Sequence, residues 1–210
     1  MNTAVAVFVK TPSLSPVKTR LSATIGKPKA EAFYLLSLKA VAKTLRNVAV
    51  KPIWAVGEKE ALNDPLWEEF EVLHTGEGDL GNRQHHIYQS LLKRYDKVLL
   101  MGSDSPQLCP IIFQDAITAL DQHDFVIGPA RDGGYYLFGG RLGLMEQNWT
   151  AVPWSVNCTR EKLEAELPSK AFHLKMLTDV DHQEDLEQIL QEMPEQMSDE
   201  QKQLVEWINL

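Results

Sequence analysis

An α/β fold built on a mostly parallel sheet is what this sequence predicts, and three observations predict it. Short apolar runs alternate with stretches of helical periodicity, the βαβ pattern whose crossovers are right-handed. One run, residues 97–106 (K-V-L-L-M-G-S-D-S-P), holds four consecutive apolar residues, as in a strand buried on both faces, and stops at Gly102. The alternation then breaks at Arg131. There Asp132-Gly133-Gly134 leads at once into Tyr135-Tyr136-Leu137-Phe138, with no room for a crossover helix, so an antiparallel excursion or sharp return is expected.

In chain order, residues 4–9 (A-V-A-V-F-V) compose a first buried strand, and residues 10–21, with two prolines and three cations, compose a loop. A helix over about 29–46 follows from Tyr34, Leu38, Val41 and Leu45 at 4-3-4 spacing. Residues 52–56 and 71–74 read as strands, 76–81 as a glycine-rich turn, and about 83–95 as a helix. Beyond the 98–101 strand, residues 110–122 carry Phe113, Ala116, Ile117 and Leu120 on one helical face, and 125–128 form another strand. The last third holds a loop over 149–159, a short helix over 160–167 and a strand near 173–177. Two helices close the chain, with Asp181/Glu184 and Ser198/Gln201 as capping boxes. No repeat or linker divides the sequence, so residues 1–210 are expected to form one domain.

The composition narrows the function classes. With 210 residues, 44% hydrophobic and 24% charged, the chain resembles an ordinary globular protein. A formal charge of −8 argues against a nucleic-acid surface, which needs a basic face, but leaves room for a small anion held by a few cations. Residues 4–9 are too short for a signal core or a membrane span. Cys109 and Cys158 lack metal-type spacing and read as reduced thiols. A cytoplasmic location without membrane or nucleic-acid partners is the expectation.

Chemistry is expected beyond the carboxyl ends of the strands, where α/β sheets bind ligands. Asp104 stands there, in a turn that also suits a helix-capping aspartate. Lys10, Lys18 and Arg20 follow the first strand directly, where a phosphate would sit, although neither a P-loop nor a dinucleotide fingerprint is present. Arg83 adds a cation to the glycine-rich turn, whose backbone N–H groups favour anions. Asp132-Gly133-Gly134 fits both a hairpin turn and a close ligand approach. Thr178-Asp179-Val180-Asp181 brings two carboxylates toward the same sheet edge as Asp104, with Asp181 doubling as a helix cap. The six histidines show no ligand spacing, so an all-oxygen site would take a hard ion, Mg²⁺ or Mn²⁺.

Six segments stand in order along the chain: V-F-V-K-T-P…V-K-T-R-L, G-D-L-G-N-R, L-L-M-G-S-D-S-P, G-P-A-R-D-G-G-Y-Y-L-F-G, V-P-W-S and D-V-D-H-Q-E-D-L. Together, over roughly residues 4–190, they resemble the DUF2064 family, often named rSAM/selenodomain-associated transferases or glycosyltransferases, of the GT-A nucleotide-diphospho-sugar transferase superfamily. The resemblance implies a GT-A fold: a Rossmann-like three-layer α/β/α sandwich, mostly parallel, with a small antiparallel element. It also implies a nucleotide site built from the first loop with Lys18 and Arg20, a divalent metal on Asp104 and Asp181, and an acceptor side with Asp132, Gly133, Gly134 and Trp154. Lys10, Arg83 and Ser103 are expected beside them on the nucleotide side, and Tyr135 on the acceptor side. Where the family's first loop usually has a glycine before V-K-T-R-L, this chain has Ser15-Pro16, and proline donates no N–H to a phosphate.

The expected activity is a Mg²⁺- or Mn²⁺-dependent transferase acting on a nucleotide or nucleotide-sugar and a small-molecule acceptor. Lys18, Arg20 and Asp132 are its expected catalytic residues, and nucleotidyl transfer is favoured slightly over glycosyl transfer. The alternative is a non-catalytic protein of the same fold that holds a nucleotide or sugar phosphate.

Overall fold

The computed structural model describes residues 2–210. Seven strands form one sheet in the order β3-β2-β1-β4-β6-β5-β7. They are β1 (Thr3–Val9), β2 (Lys51–Val56), β3 (Glu71–His74), β4 (Lys97–Met101), β5 (Phe125–Pro129), β6 (Tyr135–Gly140) and β7 (Phe172–His173). The helices are α1 (Thr19–Ile25), α2 (Lys27–Arg46), α3 (Leu80–Leu92), α4 (Pro110–Gln122), α5 (Glu146–Thr150), α6 (Thr159–Glu166), α7 (Gln183–Glu192) and α8 (Asp199–Ile208). All pairings are parallel except those of β6, which runs antiparallel to both β4 and β5. This is the expected α/β/α sandwich with its antiparallel return.

Alternation along β1 builds the layers. Val5, Val7 and Val9 join α2 and α4 in one apolar cluster, while Ala4 and Ala6 face Ile87, Tyr88 and Leu91 of α3 in another. A third cluster ties Leu21 of α1 and Phe33 of α2 to α7 and α8. The strand order turns back at β1, which has β2 on one side and β4 on the other. The loops leaving β1 and β4 therefore diverge and open a crevice between them.

Several boundaries differ from the sequence reading. The first loop ends at Lys18, because T-R-L-S-A-T-I forms α1 and buries Leu21 against α2 and the C-terminal helices. Helix α3 starts at Leu80, capped by Asp79, whose carboxylate accepts from Asn82 N at 3.0 Å while Asn82 Oδ1 accepts from Asp79 N. Residues 146–150, partly inside the expected 149–159 loop, form α5 and bury Trp149. The strand expected near 173–177 is only two residues long, followed by a bridge from Ala130 to Leu177. The box expected of Asp181 and Glu184 does not form, since Asp185 Oδ2 accepts from the N–H groups of both Asp181 and His182. The Asp181 carboxylate is therefore left for other partners. The Ser198–Gln201 box is present as expected. Cys109 and Cys158 are free thiols. Among the described residues no helix is long and apolar enough to cross a membrane.

Candidate functional site

A cleft of about 1050 Å³ opens over the carboxyl ends of β1 to β4. Lys10 enters it from the end of β1, Gly57 and Glu58 from β2, Thr75 from β3, and Gly102, Ser103 and Asp104 from β4. Its far wall is the β5–β6 turn, with Asp132, Gly134 and Tyr135, and the segment carrying Trp154. Five carboxylates (Glu58, Asp104, Asp132, Asp179, Asp181) and four cations (Lys10, Lys18, Arg20, Arg83) line it.

The 177–181 segment is sewn to the loop after β4. Val180 N donates to Asp104 O at 3.2 Å, and Gln107 Nε2 donates to Thr178 O at 2.7 Å. Ser105 Oγ donates to Asp179 Oδ1 at 3.1 Å. Glu192 accepts from Thr178 N at 2.7 Å and from Thr178 Oγ1 at 3.0 Å. These bonds bring Asp179 and Asp181 to Asp104 across more than 70 residues of sequence. Only Val180 separates Asp179 from Asp181, so the same bonds bring both carboxylates in together.

Lys18 occupies the middle of this group. It starts α1 from left-handed backbone, φ 48°, and its side chain is only 4% exposed. Its ammonium lies 2.8 Å from Asp104 Oδ2 and 3.9 Å from Asp181 Oδ1, and it also donates to Val180 O. Arg20 pairs with the outer oxygen of Asp181 and is half exposed. Desolvation works against the Lys18 ammonium, but Asp104, Asp179 and Asp181 overcome it and hold its pKa above the ordinary lysine value. For Asp179, desolvation and the neighbouring Asp104 push the carboxyl up to about 7, with Lys18 pulling the other way. The group holds more negative charge than its buried cation neutralises.

The other expected site residues are placed as follows. Ser103 Oγ donates to Asp104 Oδ1 at 3.2 Å and steadies it. Lys10 is anchored through its backbone, whose N–H donates to Tyr34 Oη and whose carbonyl accepts from it. Arg83 lines the cleft but also ties it together, donating from Nε to Gly78 O and from Nη1 to Gly57 O and Thr75 Oγ1. Asp132 Oδ1 accepts from Gly134 N at 2.9 Å, so the turn and the cleft wall are one structure. Gly133, with φ 90°, packs against the Asn157 backbone: a Cβ there would stand 1.8 Å from Asn157 O. It seats the 154–157 segment and is not part of the cleft lining. Trp154 stacks on Trp149 at 6.3 Å and donates from Nε1 to Trp149 O, and Tyr135 Oη donates to Gln84 Oε1. Pro16 lines the cleft as well. Asp179 was expected from the Thr178–Asp181 run to lie near the same sheet edge as Asp104 but was given no role of its own, and Glu58 was not singled out, since nothing local marks it.

Known proteins share this sequence pattern and this fold. The family described as "Uncharacterized protein conserved in bacteria (DUF2064)" matches residues 35–156. A stretch of 120 residues is 30% identical to 2-phospho-L-lactate guanylyltransferase of Methanobrevibacter smithii, covering 56% of this chain and 53% of that one. The match thus spans about half the length of that curated relative. A crystal structure from Desulfovibrio desulfuricans G20, provisionally described as a nucleotide-diphospho-sugar transferase, superposes with a TM-score of 0.77 and 30% identity. That alignment covers 89% of this chain and 85% of the other. Rv0371C of Mycobacterium tuberculosis H37Rv, solved in complex with manganese, shares the fold at a TM-score of 0.54 and 14% identity, over 91% of this chain and 99% of that one.

Proposed function

The chain belongs to the DUF2064 family, and we propose that it is a nucleotidyltransferase that moves a nucleoside monophosphate from a triphosphate to a small acceptor, with release of pyrophosphate. One observation carries the reading: Asp104, Asp179 and Asp181 converge with Lys18 and Arg20 in a single cleft at the carboxyl ends of the strands. The guanylyltransferase relative supports it.

The donor set fits a hard divalent ion, Mg²⁺ or Mn²⁺. Among the described residues no three His, Cys, Asp or Glu side chains close tightly enough to hold a metal alone. That suits Mg²⁺, which usually takes one or two carboxylates and completes its shell with water and substrate phosphates. Asp104 and Asp181 would hold it, with Asp179 beside them, and when bound it supplies charge neutralisation on the phosphate oxygens. The protein's own part is positioning and electrostatics. Lys18 and Arg20 would take up charge developing on the departing pyrophosphate, with Lys10 and Ser103 beside them. Asp132, with Gly134, Tyr135 and Trp154, would orient the acceptor. The nucleotide-diphospho-sugar transferase description of the Desulfovibrio relative supports glycosyl transfer as a second reading.

Binding tests the site. A triphosphate at 100 times its Kd stabilises by about 2.7 kcal/mol, roughly 5–10 °C in Tm for a chain of this size. That shift should require Mg²⁺ or Mn²⁺ and vanish in Asp104→Asn. A full shift in Asp104→Asn, or no shift with any nucleotide, would remove the assignment.

A further inference from the structure

We propose that Glu58, together with Arg83, reads the base of the nucleotide and selects guanine. This rests on the nucleotidyltransferase reading above and adds the identity of the base to it.

The placement follows from the sheet. Strands lie about 4.8 Å apart, so the end of β2 stands roughly 10 Å from the end of β4, with β1 between them. That is the order of distance between the phosphates of a nucleotide and the far edge of its base. With the phosphates at Asp104 and Lys18, the base falls over Gly57 and Glu58. Gly57 offers it bare backbone: a Cβ built there would stand 3.8 Å from Arg83 Nη1 and 3.9 Å from Lys10 Cγ. Arg83 and Lys10 therefore flank the position next to Glu58.

The polar groups at this end match one base. Glu58 Oε2 accepts from Thr11 N at 2.9 Å, which fixes the carboxylate, and among the described residues Oε1 has no hydrogen-bond donor. Glu58 is in no ion pair among the described residues, although it shares the cleft with Lys10 and Arg83. Arg83 spends Nε and Nη1 on Gly78 O, Gly57 O and Thr75 Oγ1, and its Nη2 has no acceptor among the described residues. A held acceptor and a held donor lining the same end of the cleft suit guanine, whose edge carries adjacent N1–H and N2–H donors next to the O6 acceptor. Adenine and cytosine each set a ring-nitrogen acceptor beside a single amino donor, and that acceptor would face the carboxylate. Uracil offers one N–H between two carbonyls. The other known task of Glu58, holding Thr11 N–H, needs only one oxygen and no charge.

Calorimetric titrations with Mn²⁺ present, using GTP, ITP, ATP and CTP, test the assignment on the wild type and on Glu58→Gln. ITP differs from GTP only by the 2-amino group that the carboxylate would read. The wild type should bind GTP about 10-fold or more tighter than ITP, ATP or CTP, the range for a hydrogen bond to a charged group. Glu58→Gln keeps an oxygen for Thr11 N–H, so its apo Tm should match the wild type, while its GTP-to-ITP ratio falls below about 3. An unchanged ratio in the variant overturns the role of Glu58. Should the variant not fold, a wild-type GTP-to-ITP ratio near one overturns it equally. Equal binding of all four triphosphates defeats the base assignment and leaves the nucleotidyltransferase reading standing, whereas no binding of any of them defeats both.

Discussion

Replacing Lys18 by methionine probes the arrangement at its centre. The substitution keeps the aliphatic bulk and removes an ammonium that is 4% exposed and 2.8 Å from Asp104 Oδ2. Removing one member of a buried pair costs about 3–5 kcal/mol, because the partner is left as an uncompensated charge. Two features here lower that figure. Asp104 is itself 29% exposed, and Asp181 keeps Arg20. The lower end, about 3 kcal/mol, is therefore expected, which at 2–4 °C per kcal/mol lowers Tm by about 6–12 °C. The assay is a thermal melt at pH 7.5 in EDTA, repeated with Mn²⁺. Without the ammonium, Asp104, Asp179 and Asp181 face one another, so Mn²⁺ should recover more Tm in the variant than in the wild type. A Lys18→Met protein that melts within about 1 °C of wild type, with the same small response to Mn²⁺, would refute the picture of a buried cation holding the carboxylates.

Four further outcomes are expected. Arg20→Ala, which removes a half-exposed partner of Asp181, should leave Tm nearly unchanged but weaken triphosphate binding by about 1.5–3 kcal/mol in a calorimetric titration. Asp179→Asn should keep or raise the apo Tm at pH 8, by removing a buried charge and its repulsion from Asp104, while weakening metal-dependent nucleotide binding. Burial opposes the Glu192 carboxylate, but bonds from Thr178, Arg131 and Gln107 hold its pKa below the ordinary value of 4.5. Its stabilisation is thus fully present above pH 4.5 and is lost as pH falls through the lower folded value, so Glu192→Gln should flatten the acid limb of a stability–pH curve. Gly133→Ala must displace Asn157 and leave a φ of 90°, so it should cost at least about 1–3 kcal/mol in urea melts and disturb the Trp154 wall.

The sheet was legible because its strands carry the signal themselves. Residues 98–101 and 125–128 are unbroken apolar runs, and the short Asp132–Gly134 link leaves only an antiparallel return for Tyr135 onward. Strand β7 was legible in place but not in extent, since Phe172 and His173 are exposed and pair with one neighbour only. Helix α1 was hidden by the prolines and cations before it, and its reason to form, burial of Leu21 against distant α7 and α8, is tertiary. Lys18, Arg20, Asp104 and Asp181, which share the cleft, were singled out because each follows a strand or a strand-like run. What the spacing did not reveal is that Lys18 is buried among the aspartates instead of reaching freely into solvent. That depends on Val180 and Gln107 clasping two segments far apart in sequence. Glu58 was invisible for a similar reason, being one acidic residue in the run G-E-K-E until the end of β2 places it in the cleft.

The central claim is nucleotidyl transfer, and product identity tests it most directly. The protein is incubated with Mg²⁺ or Mn²⁺, each nucleoside triphosphate and pooled phosphorylated acceptors, then separately with nucleotide-sugars and pooled acceptors, and both pyrophosphate and nucleoside diphosphate are measured. A nucleotidyltransferase gives pyrophosphate in the first incubation, lost in Asp104→Asn, and no nucleoside diphosphate in the second. Nucleoside diphosphate released from a nucleotide-sugar, with no pyrophosphate from any triphosphate, would contradict it.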